Sequence, residues 1–222
     1  MKPKVGVLLS GCGVYDGAEI HESVLILLAL DRAGAEAVCL APDVAQKHVV
    51  NHLTGQPAAD ETRNVLVESA RIARGKVKSL SGFDPSTLDA LVLPGGFGAA
   101  KTLCDFAFRG ADCEVHPDVA RVIRAVHAAG KPVGAACIAP VVLAKLLGGE
   151  QPKLTIGTDP ATAAAVEKMG GQHVSCGGGR AVVDEEKRLV TTPAYMLDSP
   201  ISEVFAGIEK LVAELLRMAR HQ

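Results

Sequence analysis

The chain has 222 residues, of which 48% are hydrophobic and 22% are charged. A single α/β domain of this length buries roughly 70% of its unfolded surface, so it needs no disulfides to fold. The net charge is −2, with 25 acidic and 23 basic residues, which leaves no basic excess for nucleic-acid binding. Because no apolar run approaches the roughly 20 residues of a membrane span, we predict a single cytoplasmic domain over residues 1–222, without a nucleic-acid or membrane partner.

The six cysteines show no C-x-x-C pair and have no matching pair of histidines. This spacing argues against a disulfide scaffold and against a structural zinc site. Aromatic residues make up only 3% of the chain, which disfavours surfaces for base stacking. We therefore expect neither a metal nor a cofactor.

Apolar runs without polar alternation indicate interior strands of a parallel sheet, which is covered on both faces. Such runs lie at residues 4–10, 37–41, 90–93, 132–136 and 154–156. Helical patterns lie at residues 17–33, 61–74, 117–129, 138–147, 159–169 and 201–220. Because strands and helices alternate, the sequence predicts an α/β fold with a mostly parallel sheet and right-handed crossovers.

Two segments depart from this alternation. Residues 181–184 and 188–192 flank a short polar stretch, which predicts a hairpin on the sheet edge. Residues 51–78 are longer than one crossover requires. We interpret them as an insertion that covers a site or builds an interface.

Cys137 directly follows the predicted strand at 132–136 and precedes a helix that begins near Ile138. A strand-to-helix turn between small residues is the geometry of a nucleophile elbow, which exposes a side chain at the carboxyl end of a sheet. The positive end of the helix dipole should lower the pKa of this thiol. A buried core cysteine is the alternative interpretation.

A glycine-rich turn, LPGGFG at residues 93–98, follows another predicted strand. Gly95 and Gly96 have no Cβ, so their backbone N–H groups could point into a cleft and form an anion or oxyanion hole. An ordinary turn is the alternative.

The start of the first helix contains several carboxylates. Asp16 and Glu19 have the spacing of a capping box, in which Asp16 would be the N-cap and Glu19 would reach back to it. Glu22 lies one turn further along, among apolar neighbours. Burial there without a cation would raise its pKa and keep it protonated; an exposed helix glutamate is the alternative.

Taken together, these motifs resemble a known family. GAEIHES at 17–23, LPGG at 93–96 and AACIAP at 135–140, in that order, are similar to the PfpI-type superfamily of class I glutamine-amidotransferase-like proteins, which includes the Parkinson-associated deglycase. Longer segments at 10–22, 51–55, 61–65 and 191–196 are most similar to the ElbB branch, the isoprenoid-biosynthesis-associated glyoxalase or sigma cross-reacting protein. The resemblance extends from about residue 4 to residue 216.

The resemblance implies a flavodoxin-like three-layer α/β/α sandwich that is usually a homodimer. It implies Cys137 as the nucleophile and a protonated Glu22 as its partner, with Gly95, Gly96 and Ile138 forming the oxyanion site. Amidotransferases add a His-x-Glu pair after the nucleophile. Only His173 and His221 follow Cys137, and neither lies two residues before a Glu, so glutaminase chemistry is not expected.

A Cys–Glu pair suffices for a cofactor-independent glyoxalase that acts on small 2-oxoaldehydes. Glyoxal would give glycolate and methylglyoxal would give lactate, without metal or glutathione. Two alternatives remain at this stage. The chain could be a redox or electrophile sensor that oxidises at Cys137, or a partner-binding protein with little turnover.

Overall fold

The computed structural model describes residues 2–220. Eleven strands lie in this part of the chain: β1 (Lys4–Leu8), β2 (Glu36–Ala41), β3 (Val50–Asn51), β4 (Gln56–Pro57), β5 (Val77–Ser79), β6 (Ala90–Leu93), β7 (Val133–Ala136), β8 (Lys153–Leu154), β9 (Gln172–His173), β10 (Val182–Asp184) and β11 (Leu189–Thr192). The α-helices of the same residues are α1 (Ile20–Arg32), α2 (Val65–Ile72), α3 (Phe106–Arg109), α4 (Pro117–Ala128), α5 (Pro140–Leu147), α6 (Pro160–Lys168) and α7 (Ile201–Arg220).

Seven strands form the central sheet in the order β10-β11-β7-β6-β1-β2-β5. All neighbours pair in parallel except β10 and β11, which form an antiparallel hairpin on one edge. The strand order reverses around β1 and β6, because the chain adds strands first on one side of β1 and then on the other. Ligands of open α/β sheets bind at the carboxyl ends of the strands at such a reversal.

The sheet has a hydrophobic core on each face. Side chains of α4, α5 and α6 fill one core, and those of α1, α2 and α7 fill the other. The periodicity of α7 explains its place, since Val204, Ile208, Leu211, Val212 and Leu215 are all buried on one side of the helix. This arrangement of helices on both faces confirms the predicted flavodoxin-like α/β fold.

The structure confirms the edge hairpin and the strands predicted near 4–10, 37–41, 90–93 and 132–136. The expectation for residues 154–156 is wrong in its pairing. β8 pairs in parallel with β9 in a separate two-stranded sheet and does not join the central one. The apolar pattern at 154–156 predicts that these residues are buried, but it does not predict the strand with which they pair.

Residues 51–78 have more regular structure than a loop insertion. They include part of the β3–β4 hairpin, helix α2 and strand β5, which pairs with β2 at the sheet edge. Two hydrogen bonds tie this region to the loop before α1: the N–H of Gly11 donates to Ser69 Oγ and the N–H of Tyr15 donates to His52 Nε2. The segment therefore supports that loop.

None of the helices within residues 2–220 is long and apolar enough to cross a membrane.

Candidate active site

Cys137 occupies the turn between β7 and α5 in a strained backbone conformation. Its φ angle is +60°, in the left-handed region that side-chain-bearing residues rarely adopt. The backbone N–H of Cys137 donates to the carbonyl of Thr192, the last residue of the neighbouring strand β11, at 2.9 Å. This bond holds the turn at the carboxyl edge of the sheet, where the sequence predicts an elbow.

The glycine turn after β6 lies directly against Cys137. A Cβ on Gly95 would lie 2.8 Å from Glu22 Oε2 and 2.9 Å from Cys137 Sγ, which is closer than real side-chain contacts allow. Gly96 has a φ of +91°, and a Cβ there would collide with the backbone of Gly17 and Glu19. Only glycines let the turn, the elbow and the start of α1 meet at this distance.

Glu22 lies in the first turn of α1 and is fully buried. Its Oε2 accepts a hydrogen bond from the backbone N–H of Gly95 at 2.8 Å, and its Oε1 accepts one from the N–H of Tyr195 at 3.2 Å. The carboxyl group also hydrogen-bonds the thiol of Cys137. Three segments distant in sequence thus fix the orientation of one carboxyl group.

Burial dominates the electrostatics of Glu22. It raises the pKa of the carboxyl from 4.5 to about 7, with help from the nearby charge of Glu19. The two backbone N–H donors and the thiol of Cys137 favour the ionised form and oppose this shift. The carboxyl is therefore a proton carrier near neutral pH, as the sequence argument expected from burial.

The thiol of Cys137 is less acidic than the sequence argument expected. Burial and the charge of Glu22 raise its pKa well above the ordinary value, and the backbone N–H groups of Gly96 and Ile138 offset this only in part. The expectation of a depressed thiol pKa is wrong, because desolvation outweighs the dipole of α5. The thiolate forms most easily when Glu22 holds the proton, so the two groups titrate as a pair.

The three expected oxyanion donors have different partners. The N–H groups of Gly96 and Ile138 point at the sulfur of Cys137, where charge would develop. The N–H of Gly95 is already bonded to Glu22. Of the three, Gly95 therefore orients the carboxyl of Glu22, whereas Gly96 and Ile138 direct their N–H groups at the sulfur.

The predicted capping box is wrong. Helix α1 begins at Ile20, and Glu19 is its N-cap, accepting a hydrogen bond from the backbone N–H of Glu22 at 2.7 Å. Asp16 is buried three residues earlier, and its Oδ2 accepts from the N–H of Val50 at 2.7 Å. Between them, the backbone at Gly17 packs directly against Cys12, where an added Cβ would lie 2.3 Å from the Cys12 nitrogen.

A pocket of about 440 Å³ opens above Cys137. Its wall is mainly apolar and includes Val14, Phe97, Phe106, Ile138 and Met196. Polar groups are few and come from Glu19, Asp159, Thr162 and Tyr195. No residue of 51–78 lines this pocket, so the expected cover over the site is not provided by that segment.

Sequence reasoning missed the part played by Tyr195. Its backbone N–H holds Glu22, its ring lines the pocket, and its hydroxyl lies 2.9 Å from His21 Nδ1. The available signal was the segment TTPAYM directly after β11, since residues after a parallel strand end at the same edge as the elbow. His173 contacts Ile156 instead of the pocket, and His221 lies outside the described residues.

Comparison with known proteins agrees with this geometry. Residues 13–198 match the DJ-1/PfpI family. The chain belongs to the DJ-1/PfpI family. A human relative, glutamine amidotransferase-like class 1 domain-containing protein 3, mitochondrial, is 46% identical over 97% of this chain and 83% of its own length. The zebrafish ES1 protein, mitochondrial, is 33% identical over 96% of this chain and 85% of its own.

Solved structures show the same fold. The crystal structure of an isoprenoid biosynthesis protein with an amidotransferase-like domain from Ehrlichia chaffeensis superposes with a TM-score of 0.89 at 38% identity, covering 96% of this chain and 99% of that one. Glyoxalase III from Candida albicans superposes with a TM-score of 0.61 at 17% identity, over 96% of this chain and 97% of its own. At that identity, the second comparison supports the fold alone.

Proposed function

We propose that this protein is a cofactor-independent glyoxalase that converts small 2-oxoaldehydes to 2-hydroxy acids. The observation that carries the proposal is the buried contact between the Cys137 thiol and a Glu22 carboxyl whose pKa is about 7. A nucleophile and a proton carrier are the two groups that this internal redox reaction needs. Glyoxalase III from Candida albicans has the same fold.

The first step is addition to the aldehyde. The Glu22 carboxylate takes the proton of the Cys137 thiol, the thiolate attacks the aldehyde carbon, and the aldehyde oxygen then takes up that proton from Glu22, giving a hemithioacetal. The N–H groups of Gly96 and Ile138 lie beside the sulfur, so they can stabilise charge on the adjacent oxygen as it forms. Glu22 is left as a carboxylate.

The second step moves hydrogen between the two substrate carbons. The Glu22 carboxylate removes the hydrogen from the former aldehyde carbon as a proton and returns it to the neighbouring carbon, while the hydroxyl proton on the first carbon moves to the former ketone oxygen through an enediol. The first carbon is thereby oxidised to a thioester while the second is reduced to an alcohol. Water then cleaves the thioester, and the thiol is regenerated with glycolate from glyoxal or lactate from methylglyoxal.

The finer identity belongs to the same proposal. We propose that the chain belongs to the ElbB-type branch of the family, because the first motif, SGCGVYDGAEIHE at 10–22, builds the loop and helix start that carry Glu22. We also propose the cytoplasm as its compartment, since all six cysteines are free, as is usual for a reducing compartment. The names of the human and zebrafish relatives place those proteins in mitochondria.

We further propose a homodimer that forms through α1. Ile20, Val24 and Leu28 are 43–48% exposed and lie one turn apart on the same side of the helix. Such an apolar stripe is a candidate for burial against a second copy of the chain. Val24→Glu should shift the species seen by sedimentation from dimer to monomer, whereas an unchanged dimer would contradict this interface.

The test of the function is turnover of purified protein after removal of metal and glutathione. Wild-type protein should form lactate from methylglyoxal and glycolate from glyoxal, and Cys137→Ala should form neither above background. If wild type shows no turnover while peroxide modifies Cys137 selectively, the glyoxalase proposal fails and the sensor alternative is favoured. If neither occurs, a partner-binding role is favoured.

A further inference from the structure

A second pair of cysteines lies outside the Cys137 site, where the chain folds back on itself around α3. Cys104 forms an isolated antiparallel bridge with Val115. The N–H of Asp105 donates to the carbonyl of Glu114 at 3.1 Å, and the N–H of His116 donates to the carbonyl of Leu103 at 2.9 Å. These bonds clamp the two ends of the segment together.

Register then brings the two sulfurs together. Cys113 lies two residues before Val115, so its side chain emerges on the same side of the extended chain as that of Val115, next to Cys104. The two thiols are in hydrogen-bond contact. The Cys104 thiol also lies 3.4 Å from the carbonyl of Ala99, and the Cys113 sulfur lies 3.9 Å from the sulfur of Met169.

We propose that Cys104 and Cys113 form a reversible redox pair that a hydroperoxide closes to a disulfide. The thiolate of one cysteine attacks a peroxide oxygen, becomes a sulfenic acid and releases hydroxide. The thiol of the other cysteine then displaces water from the sulfenic sulfur. In sum, two thiols and one hydrogen peroxide give one disulfide and two waters, and the two sulfurs lose the two electrons that the peroxide gains.

The electrostatics distinguish the two sulfurs. The contact with Cys104, aided by the charge of Lys145, lowers the pKa of Cys113 despite burial. The same contact and burial raise the pKa of Cys104 well above its ordinary value. Because the charge of Lys145 favours a thiolate on Cys113, we assign Cys113 as the attacking sulfur and Cys104 as the resolving thiol. A resolving thiol close by favours disulfide formation over further oxidation.

A small oxidant has a short route to the pair. Cys104 lies in the wall of a surface cavity of about 180 Å³ that also includes Asp105, Glu114 and His116. Cys113 has no exposed surface, but its neighbours Asp112 and Glu114 have side chains that are 76% and 77% exposed. The pair is therefore only one layer below the surface.

The ring that the disulfide closes includes α3, and Phe106 and Ala107 of that helix line the pocket above Cys137. A shift of Cys104 towards Cys113 would move the ends of the segment that carries these two residues. Oxidation of the pair would thus change the positions of Phe106 and Ala107 in the pocket wall, whatever reaction the pocket supports.

The direct experiment is peptide mapping of protein treated with hydrogen peroxide. Cys137→Ser removes the thiol of the proposed active site and leaves five of the six cysteines. Trypsin cuts after Lys101, Arg109 and Arg121, so the two cysteines fall on separate peptides, residues 102–109 and 110–121. After alkylation and digestion without reductant, we expect these peptides to be joined, with three alkylated cysteines in the protein in place of five. Dithiothreitol should restore five.

Matched single variants assign the roles. Cys104→Ser should leave Cys113 as a sulfenic acid that dimedone traps, while Cys113→Ser should react much more slowly with peroxide. Cys176→Ser, at another buried cysteine, should leave the joined peptides unchanged. The proposal is overturned if five thiols survive peroxide that fully modifies Cys137 in wild type, or if Cys104 and Cys113 join to other cysteines. Because the joined peptides are sought in the Cys137→Ser protein itself, the main result does not depend on folding of the other variants.

Discussion

The Glu22→Gln variant keeps the shape of the side chain but removes its titratable proton. The carboxyl has a pKa of about 7 in the folded protein and an ordinary value of 4.5 when unfolded. Between these two values the folded state keeps a proton that the unfolded state has lost. The free energy of unfolding of wild type therefore falls as pH rises through this window, because stability decreases wherever the native state binds more protons.

The size of the effect follows from the same two values. At 1.36 kcal/mol per pH unit, wild type should lose about 3 kcal/mol between pH 4.5 and pH 7. Gln has no proton to lose, so its contribution to the free energy of unfolding does not change with pH. It has only one acceptor oxygen for the two N–H donors of Gly95 and Tyr195, so one donor faces the amide nitrogen at a cost of about 1–3 kcal/mol. Glu22→Gln should thus be the less stable protein at pH 4.5 and match or exceed wild type at pH 8.

Urea unfolding followed by circular dichroism, at pH values from 4.5 to 8, measures this difference. Glu19→Gln is the control: it keeps the acceptor oxygen at the N-cap of α1 and costs about 1 kcal/mol or less. It also removes the charge that helps raise the Glu22 pKa. The free energy of unfolding should therefore still fall as pH rises, but over a range that lies at lower pH than in wild type. If the free energy of unfolding depends on pH in the same way in wild type and in Glu22→Gln, the raised pKa of Glu22 is refuted. Turnover of Glu22→Gln should fall by roughly 10²-fold or more, whereas Glu19→Gln should keep most of it.

Three further results are expected. Gly95→Ala should cost about 1–3 kcal/mol of stability and abolish turnover, because the added carbon would overlap Cys137 and Glu22; normal kinetics with a normal urea midpoint would contradict this packing. Methylglyoxal should exceed glyoxal about fourfold in kcat/KM, since an apolar wall gains about 0.8 kcal/mol from one extra methyl group; equal values would mean that the methyl stays in water. Asp16→Ala should speed amide exchange in β3 and β4 by leaving the N–H of Val50 unpaired, whereas a capping role would speed exchange at the start of α1.

The sequence predicted the elements whose signal is local. The interior strands are apolar on both faces, and Cys137 stands out because it joins one of them to a helix. Edge strand β5 was missed because it has three residues and includes a lysine, so it lacks the apolar run of an interior strand. The wrong N-cap has a similar cause: Asp16 and Glu19 fit a local pattern, and the pattern contains no information about Val50.

The site depends on contacts that no local pattern reports. The bond from Gly95 to Glu22 spans 73 residues, and the bond from Tyr195 to Glu22 spans 173. Burial of Glu22 could be predicted from its apolar neighbours on α1. The identity of its two donors could not, because it depends on how β6 and β11 lie beside β1 and β7 in the folded sheet. The direction of the Cys137 pKa failed for the same reason, since the helix dipole is local and desolvation is not.

Donors are divided evenly between the two reactive groups. Gly95 and Tyr195 direct N–H groups at the carboxyl, while Gly96 and Ile138 direct theirs at the sulfur. Burial opposes charge on both groups, and each negative charge opposes the other, so the site accommodates one negative charge near neutral pH and resists a second. In the proposed reaction, when the sulfur bonds to a substrate carbon, its charge moves to the substrate oxygen and is cancelled there by the Glu22 proton. Only then can Glu22 remain ionised without a charged neighbour, and this makes it available as the base for the next proton transfer.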